Sequence, residues 1–573
     1  MNTENIYYIG ENNLFDLNTT TIKDCVKYLK DKKVISVDIE TTRKFNGKYG
    51  KREGLDPYLS KIVMFQIGDL EKQYVIDYRC ININPLKEIL ESNSIVKVGH
   101  NIKFEYKHIL HNNGIKLNNV YDTMIVEQIL FSGYSPKLGL KDLNEKYLDI
   151  EVDKTTRLEF LDIKDKPFNK RQIIYGAEDI LYPLRIKEFQ DADIVKKELS
   201  KCVSLEMLFL QTLGDIEYKG INFNKDIWEE TYNKNKKKYS KLLVDLDNYV
   251  LENFNDTIFV DKQLDLFTDG LKCAINWGSS KQVINFFKYL GICPQEVSKS
   301  TKILSYTVNA KVVKASLKTM NKDIGDVYKN LLDIYLEYKE LEQSCTTFGV
   351  AFFKYINPIT NRLHSNYKQI LNTGRISSSN PNLQNIPSND DFRRAFDSPE
   401  GYKIVNADYS GQENICLANT SLDPDILNFY YEGHSDMHSY NAQKIYPELR
   451  ELSLPEIKKQ HPEKRQIAKS VSFALAYGGN GFTISNNLGV SPEEGENIYN
   501  AYFDAFPKLK LFFDEAIKKS MSQGFIEIDP ITKRKFYFGD FDKLKMYKKD
   551  KDWKRYYSLK GKYERACLNY IIQ

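Results

Sequence analysis

Little in this 573-residue chain points to covalent cross-links or to lipid. Its eight cysteines are scattered, with no Cys-x-x-Cys pair, which argues against a zinc site or a disulfide framework and for a reducing compartment. They read as ordinary core thiols. No stretch approaches the roughly 18 apolar residues of a membrane span, and residues 1–20 lack a basic region followed by an apolar run. The expectation is a cytoplasmic protein with no membrane partner. Internal repeats and long low-complexity segments are also missing. The net charge of +4 carries no general attraction to polyanions. What is present is apolar mass: 42% hydrophobic residues over this length are too many for one core and imply several domains. Charge is concentrated locally. Residues 543–565 hold ten Lys/Arg against three acids, with Tyr547, Trp553, Tyr556, Tyr557 and Tyr563 interleaved. That pattern suits a surface that tracks a nucleic-acid backbone and stacks bases; the plainer reading is a solvated face.

Residues 33–41 alternate like a strand, and the period of two puts Asp38 and Glu40 on one side, so two carboxylates face one point. Further strands are predicted at 62–67, 74–76 and 95–98. The last runs into Gly99-His100-Asn101-Ile102-Lys103-Phe104-Glu105, which places another acid just past a strand end. Residues 170–190 read as a helix in which Tyr175 and Asp179, four apart, share a face. Each pair alone is weak, because acidic pairs on strands and Tyr-x-x-x-Asp on helices are commonly structural. The order Asp38-Ile39-Glu40, Asn101-x-x-x-Glu105, Tyr175-x-x-x-Asp179, with Tyr121-Asp122-Thr123-Met124 between, is much more specific. It resembles the three motifs of the proofreading 3′–5′ exonuclease of family A (Pol I-type) DNA polymerases. The resemblance implies an RNase H-like domain in which Asp38, Glu40, Glu105 and Asp179 hold two Mg²⁺ ions, replaceable by Mn²⁺, while Tyr175 orients the attacking water. The family usually has Asp where this chain has Glu105. The extra methylene moves the oxygens outward, and Mg²⁺ tolerates poor octahedral geometry badly, so reduced activity or a preference for Mn²⁺ is expected. His100 and His108 are read as structural or surface residues, since hard cations prefer oxygen.

Beyond Asp193, residues 205–223 resemble the entry to the family's polymerase domain. Helical periodicity at 232–243 and 327–348 fits either a DNA-gripping thumb or plain bundle elements. The run Thr373-Gly374-Arg375-Ile376-Ser377-Ser378-Ser379-Asn380-Pro381-Asn382-Leu383-Gln384-Asn385-Ile386-Pro387 is the most specific in the chain. Its small polar groups, arginine and amides suit hydrogen bonds to sugar edges and minor-groove acceptors. By resemblance Arg375, Asn382, Gln384 and Asn385 contact primer–template DNA near the growing end. Residues 403–413 resemble the family's motif A: a strand delivering Asp408 as metal ligand, then a helix start. There the Tyr409 carbonyl adds an oxygen ligand and Glu413 is the steric gate against a ribose 2′-OH. Gly411-Gln412 and Asn414-Ile415 depart from the usual pattern. Arg465, Lys469, Phe473 and Tyr477 recur every four residues and so lie along one winding helical stripe, basic at one end and aromatic at the other. The stripe resembles motif B, with Arg465 and Lys469 on the incoming dNTP triphosphate, Phe473 against its sugar and base, and Tyr477 near the templating base. Ser472 and Ala474 replace the usual Asn and Gly. The segment 433–439, with His438, also fits the family.

The expected fold class is α/β and α+β multidomain, an RNase H-like exonuclease domain followed by a right-hand polymerase thumb, partial palm and fingers. The predicted boundaries are 1–195 exonuclease, 196–355 thumb and polymerase entry, 356–425 palm with motif A, 426–565 fingers with motif B, and 566–573 the start of a C-terminal palm segment. In the family a second polymerase carboxylate lies on a later hairpin. Asp540 and Asp542 precede that point, so on sequence this chain carries only Asp408 of the pair. Alone, it is expected to incorporate no nucleotides until a C-terminal fragment is supplied. Three readings follow: a DNA polymerase with proofreading, needing that continuation; a stand-alone 3′–5′ exonuclease on a DNA-binding platform; and a noncatalytic primer–template binding subunit. The first is preferred because Asp408, Glu413, Arg465, Lys469 and Tyr477 are retained together. The expected partners are primer–template DNA, single-stranded DNA 3′ ends and dNTPs. Abundant Lys, Asn, Ile and Tyr suggest an AT-rich genome, and a bacterial or bacteriophage source fits.

Overall fold

A computed structural model describes residues 3–11, 17–151, 155–261, 272–292, 294–297, 304–310, 312–314, 325–387, 390–488 and 490–573. The N-terminal half is built on a seven-stranded sheet of β1 (Ile6–Ile9), β2 (Asn18–Thr19), β3 (Val34–Arg43), β4 (Ser60–Gly68), β5 (Gln73–Asp77), β6 (Val96–Gly99) and β7 (Val120–Asp122). Their order across the sheet is β2-β1-β5-β4-β3-β6-β7. β4 runs antiparallel to both β3 and β5, while β6 and β7 continue parallel to β3. Three antiparallel strands followed by two parallel ones give the RNase H-like arrangement. The strands expected near 62–67, 74–76 and 95–98 are all present, one or two residues longer or shifted. Alternation explains their legibility: Ile35, Val37 and Ile39 are buried together in one core, leaving Asp38 and Glu40 on the opposite face.

Helices pack against the sheet. α1 (Lys103–Asn113) and α2 (Thr123–Leu130) follow β6 and β7; α3 (Thr155–Phe160) and the 27-residue α4 (Lys170–Lys196) come next. α4 starts at a capping box in which Asn169 accepts from the Gln172 N–H and the Gln172 side chain accepts from the Asn169 N–H. It runs past the predicted residue 190 because nothing stops it there, although Pro183 lacks the N–H that would return to the Asp179 carbonyl. Gly176 brings α4 close to the sheet. A Cβ there would lie 2.8 Å from Met64 Sδ and 2.9 Å from Gln66 Nε2.

The C-terminal half is mainly helical. α5 (Ser200–Lys219) leads to α6 (Lys225–Asn253), which packs on α7 (Asp326–Thr346) around Trp277, Phe286, Tyr335 and Tyr338. Both helices predicted here are present, the first much longer than 232–243. β8 (Asn366–Lys368) pairs antiparallel with β9 (Ser377–Ser379). A second core gathers α8 (Gln412–Ser421), α9 (Met437–Ile445) and α10 (Pro462–Ala476). The hairpin of β10 (Phe525–Glu527) and β11 (Lys535–Tyr537) and the helices α11 (Phe541–Lys549) and α12 (Trp553–Ile572) enclose a further core around Ile526, Phe536, Phe538, Leu544 and Tyr563.

Two expectations are corrected. The strand predicted at 403–408 is not formed: residues 401–412 are exposed, Val405 at 88% and Tyr409 at 79%. A strand is held by a neighbour's ladder, and no described segment pairs with this one. Tyr563 is also not a surface aromatic. It is 2% exposed, stacks on Phe538 at 4.2 Å, and its hydroxyl accepts from the Asp540 N–H at 3.0 Å.

Candidate active sites

In the N-terminal half β3 carries Asp38 and Glu40 two residues apart, and α4 brings Asp179 to the same point. Carboxylate oxygens of these three residues all lie within 4.8 Å of one another. A β-bulge directly after Glu40, where Glu40 pairs Met64 but Thr41 pairs Ile62, re-aims the end of the strand. Glu105, on the first turn of α1 and 4% exposed, joins from the other side by hydrogen-bonding contact with Asp38, and its Oε2 has no further partner. The Tyr175 hydroxyl, one turn before Asp179, lies beside the Asp179 carboxylate.

Ionising these acids together is opposed. Burial pushes Asp38 up to about 6. Burial, then the charges of Asp38 and Asp179, raise Glu40 well above the carboxylate range. Burial and Asp38 do the same to Glu105 and to Asp179. Four converging acids, one with an orphaned oxygen, fit divalent cations, whose hard charge prefers carboxylate oxygen.

The neighbouring residues expected to be structural are so placed. His108 is fully buried between Ser60 Oγ at 3.0 Å and the Phe104 carbonyl at 2.9 Å, and burial lowers it to about 3. His100 bonds Thr123 Oγ1 at 3.0 Å and is lowered by burial to about 4. Asp122 caps α2 through the Met124 and Ile125 N–H groups and also accepts from the N–H groups of Asn101 and Ile102. It thereby fixes the turn that leads to Glu105.

In the C-terminal half Glu413, on the first turn of α8, accepts from Arg375 and, at 3.1 and 3.0 Å, from the Tyr477 hydroxyl. Tyr477 itself sits just past the end of α10. There Gly478, at φ +74°, allows the chain to meet α12: a Cβ would lie 2.8 Å from Arg565 Cα. Arg465 bonds Asp436 through Nε at 3.0 Å and Nη2 at 2.9 Å. Phe473 faces His438, ring centroids 5.9 Å apart. Burial, then the charges of Lys469 and Arg465, lower His438. Asn382 and Gln384 turn part of their amide capacity inward, Asn382 accepting from the Gln384 N–H at 3.0 Å and Gln384 from the Ser378 N–H at 3.0 Å. Both side chains, with Arg375 and Asn385, remain exposed. Asp408 and Tyr409 lie in the exposed 401–412 segment and make no hydrogen bond or ion pair to a described residue.

Sequence reasoning missed three residues. Asp436, the partner of Arg465, stood in a segment noted only for His438. Gln66 is paired across from Asp38 with neither amide atom bonded, and only strand register reveals it. Arg157 is a lone arginine with no spacing signal.

An RNase H-like sheet bearing a buried carboxylate cluster, joined to a helical half with a basic–aromatic helix stripe, has the architecture of a nuclease domain coupled to a second body. The pattern of DNA polymerase family A matches residues 263–573, and that of the 3′–5′ exonuclease domain matches residues 17–190. The chain belongs to DNA polymerase family A and carries a 3′–5′ exonuclease domain. Domains of these families generally use divalent metal ions. DNA polymerase I of Borreliella burgdorferi is 28% identical over the whole of this chain and 57% of its own length; that of Aquifex aeolicus is 27% identical over 91% of this chain and 83% of its own. The chain spans about half the length of most of the curated relatives it matches. A solved polymerase domain of Pol1 from M. smegmatis, in complex with DNA primer-template and dNTP, superposes with a TM-score of 0.75 at 20% identity, covering 99% of this chain and 86% of that one. No helix among the described residues is long and apolar enough to cross a membrane.

Proposed function

We propose that this chain is a DNA polymerase with a 3′–5′ proofreading exonuclease, in which the N-terminal half shortens single-stranded DNA 3′ ends and the C-terminal half holds primer–template DNA and an incoming dNTP. The convergence of Asp38, Glu40, Asp179 and Glu105 carries the exonuclease reading. These four residues would hold two Mg²⁺ ions, or Mn²⁺ in their place, which when bound lower the pKa of the attacking water and offset charge on the departing oxygen. The Tyr175 hydroxyl, beside Asp179, orients the water. Its oxygen attacks the terminal phosphorus in line, and the bond from phosphorus to the 3′ oxygen breaks. The attacking water releases its proton to solvent, the electron pair leaves with the 3′ oxygen, which takes a proton from solvent, and a nucleoside monophosphate departs. In the C-terminal half Lys469 and, once it exchanges Asp436 for phosphate, Arg465 would bind the triphosphate. Phe473 would pack on the base, Glu413 held by Tyr477 and Arg375 would crowd a 2′-OH, and Asp408 with the Tyr409 carbonyl would supply metal ligands.

The test is 3′-end shortening of a labelled single strand by the whole chain with Mg²⁺ and with Mn²⁺. Asp38→Ala is expected to abolish it. Degradation at an unchanged rate by that variant would overturn the exonuclease reading.

A further inference from the structure

α3 lies at the rim of the carboxylate cluster and is pinned from both sides. Immediately after it, the Leu161 carbonyl accepts from the Arg43 N–H at 3.0 Å and from Thr42 Oγ1 at 3.1 Å, both on β3 just past Glu40. Its last residue, the buried Phe160, packs on Tyr175 with ring centroids 6.2 Å apart. Arg157, one turn before Phe160, is thereby brought over the ligand cluster while remaining exposed to solvent. Its charge acts on Asp38, Glu40 and Asp179 together, yet it makes no salt bridge with a described carboxylate. Loss of water on its side toward the cluster opposes its charged form, and the field of those acids outweighs that. An arginine committed to neutralising one acid would sit in a bidentate pair, as Arg465 does with Asp436. Arg157 instead stands beside the cluster with no hydrogen bond or ion pair to a described residue.

We propose that Arg157 is a catalytic residue of the exonuclease, its guanidinium binding the nonbridging oxygens of the scissile phosphate of the DNA 3′ end. A planar fork of N–H donors matches two phosphate oxygens, and charge growing on those oxygens during the displacement strengthens the contact. The inference rests on the exonuclease reading above. A purely structural arginine would instead hold the acids in position for metal, so metal affinity separates the two roles.

In the whole chain, Arg157→Ala is expected to lower kcat/KM on single-stranded DNA about 100-fold. Its Mn²⁺ affinity without DNA, read by electron paramagnetic resonance, should be unchanged or tighter, because a neighbouring cation has gone. Arg157→Lys should recover part of the loss and Arg157→Gln none, and added guanidinium ion should partly restore Arg157→Ala. If Arg157→Ala lowers the melting temperature, the Lys against Gln comparison decides. Activity within twofold of the parent, a loss of Mn²⁺ affinity matching the loss of activity, or equal Lys and Gln variants would each overturn the proposal. If Asp38→Ala is inactive while Arg157→Ala is not, this inference alone falls. If Asp38→Ala remains active, the exonuclease reading falls first.

Discussion

At the scale of single residues, the cluster trades stability for a binding site. Asp38 ionises in the folded chain near 6 instead of 3.8 because it is buried. The folded state therefore holds that proton more tightly than the unfolded chain does. The associated stability is fully present below about pH 4 and is lost as pH rises through about 6. Asp38→Asn should accordingly stabilise the metal-free protein near neutral pH by on the order of 1–2 kcal/mol and change little at about pH 4. Calorimetry in chelator at the two pH values checks this, and equal melting shifts at both would contradict it. Added Mg²⁺ should stabilise the parent and not the variant. These acids were legible in the sequence because strand and helix periods put them on shared faces in a recognisable order. Arg157 and Gln66 were not, since their positions depend on how α3 docks and which residue of β4 stands across from Asp38. The pairing of Arg465 with Asp436 was hidden for the same reason: only folding brings 29 residues of separation into one ion pair.

At the scale of elements, the basic run proves to be two helices, α11 and α12, rather than one surface. Lys548, Lys549, Lys551 and Lys554 are exposed around their junction, with Trp553 47% and Tyr557 63% exposed, whereas Tyr563 turns into the core. Composition gave the charge; helical phase decides which aromatics reach solvent. Four exposed cations beside two exposed rings suit a DNA strand held by phosphates and stacking. Neutralising the four lysines should weaken primer–template binding and reduce the slope of log K against log salt by up to about 3. Fluorescence anisotropy across a salt series measures this; an unchanged slope would mark the run as a solvated face. The strands and long helices were readable because each carries its own periodic pattern. The segment 403–408 has a strand's composition without a strand's neighbour, and sequence pattern reports only the first.

At the scale of the molecule, the two halves are bolted together by buried charge. Glu217 on α5, with a side chain only 2% exposed, takes both Lys103 and Lys107 of α1 at 2.6 Å and also accepts from the Tyr367 N–H on β8 at 2.7 Å. Burial pushes its carboxyl up, but Lys107 and Lys103 together outweigh that and hold it below the usual range. Its contribution is therefore present above about pH 4 and lost as pH falls through the depressed value. A second tie joins Glu206 of α5 to Arg534 beside β11, and the Tyr537 N–H reaches the Ser132 carbonyl at 2.9 Å. None of this was legible, because the partners are up to 328 residues apart and no local pattern marks them. Glu217→Gln should cost on the order of 3 kcal/mol, shift the denaturation transitions of both halves, and slow the exonuclease. Movement of one half's transition alone would contradict the bolt. Lys103 also donates to the Tyr367 carbonyl at 2.6 Å, and it stands two residues before Glu105. A displacement of Tyr367 on DNA binding that changed how tightly the exonuclease carboxylates hold cations would make the two events thermodynamically reciprocal, so that loading the cations altered DNA affinity by the same factor.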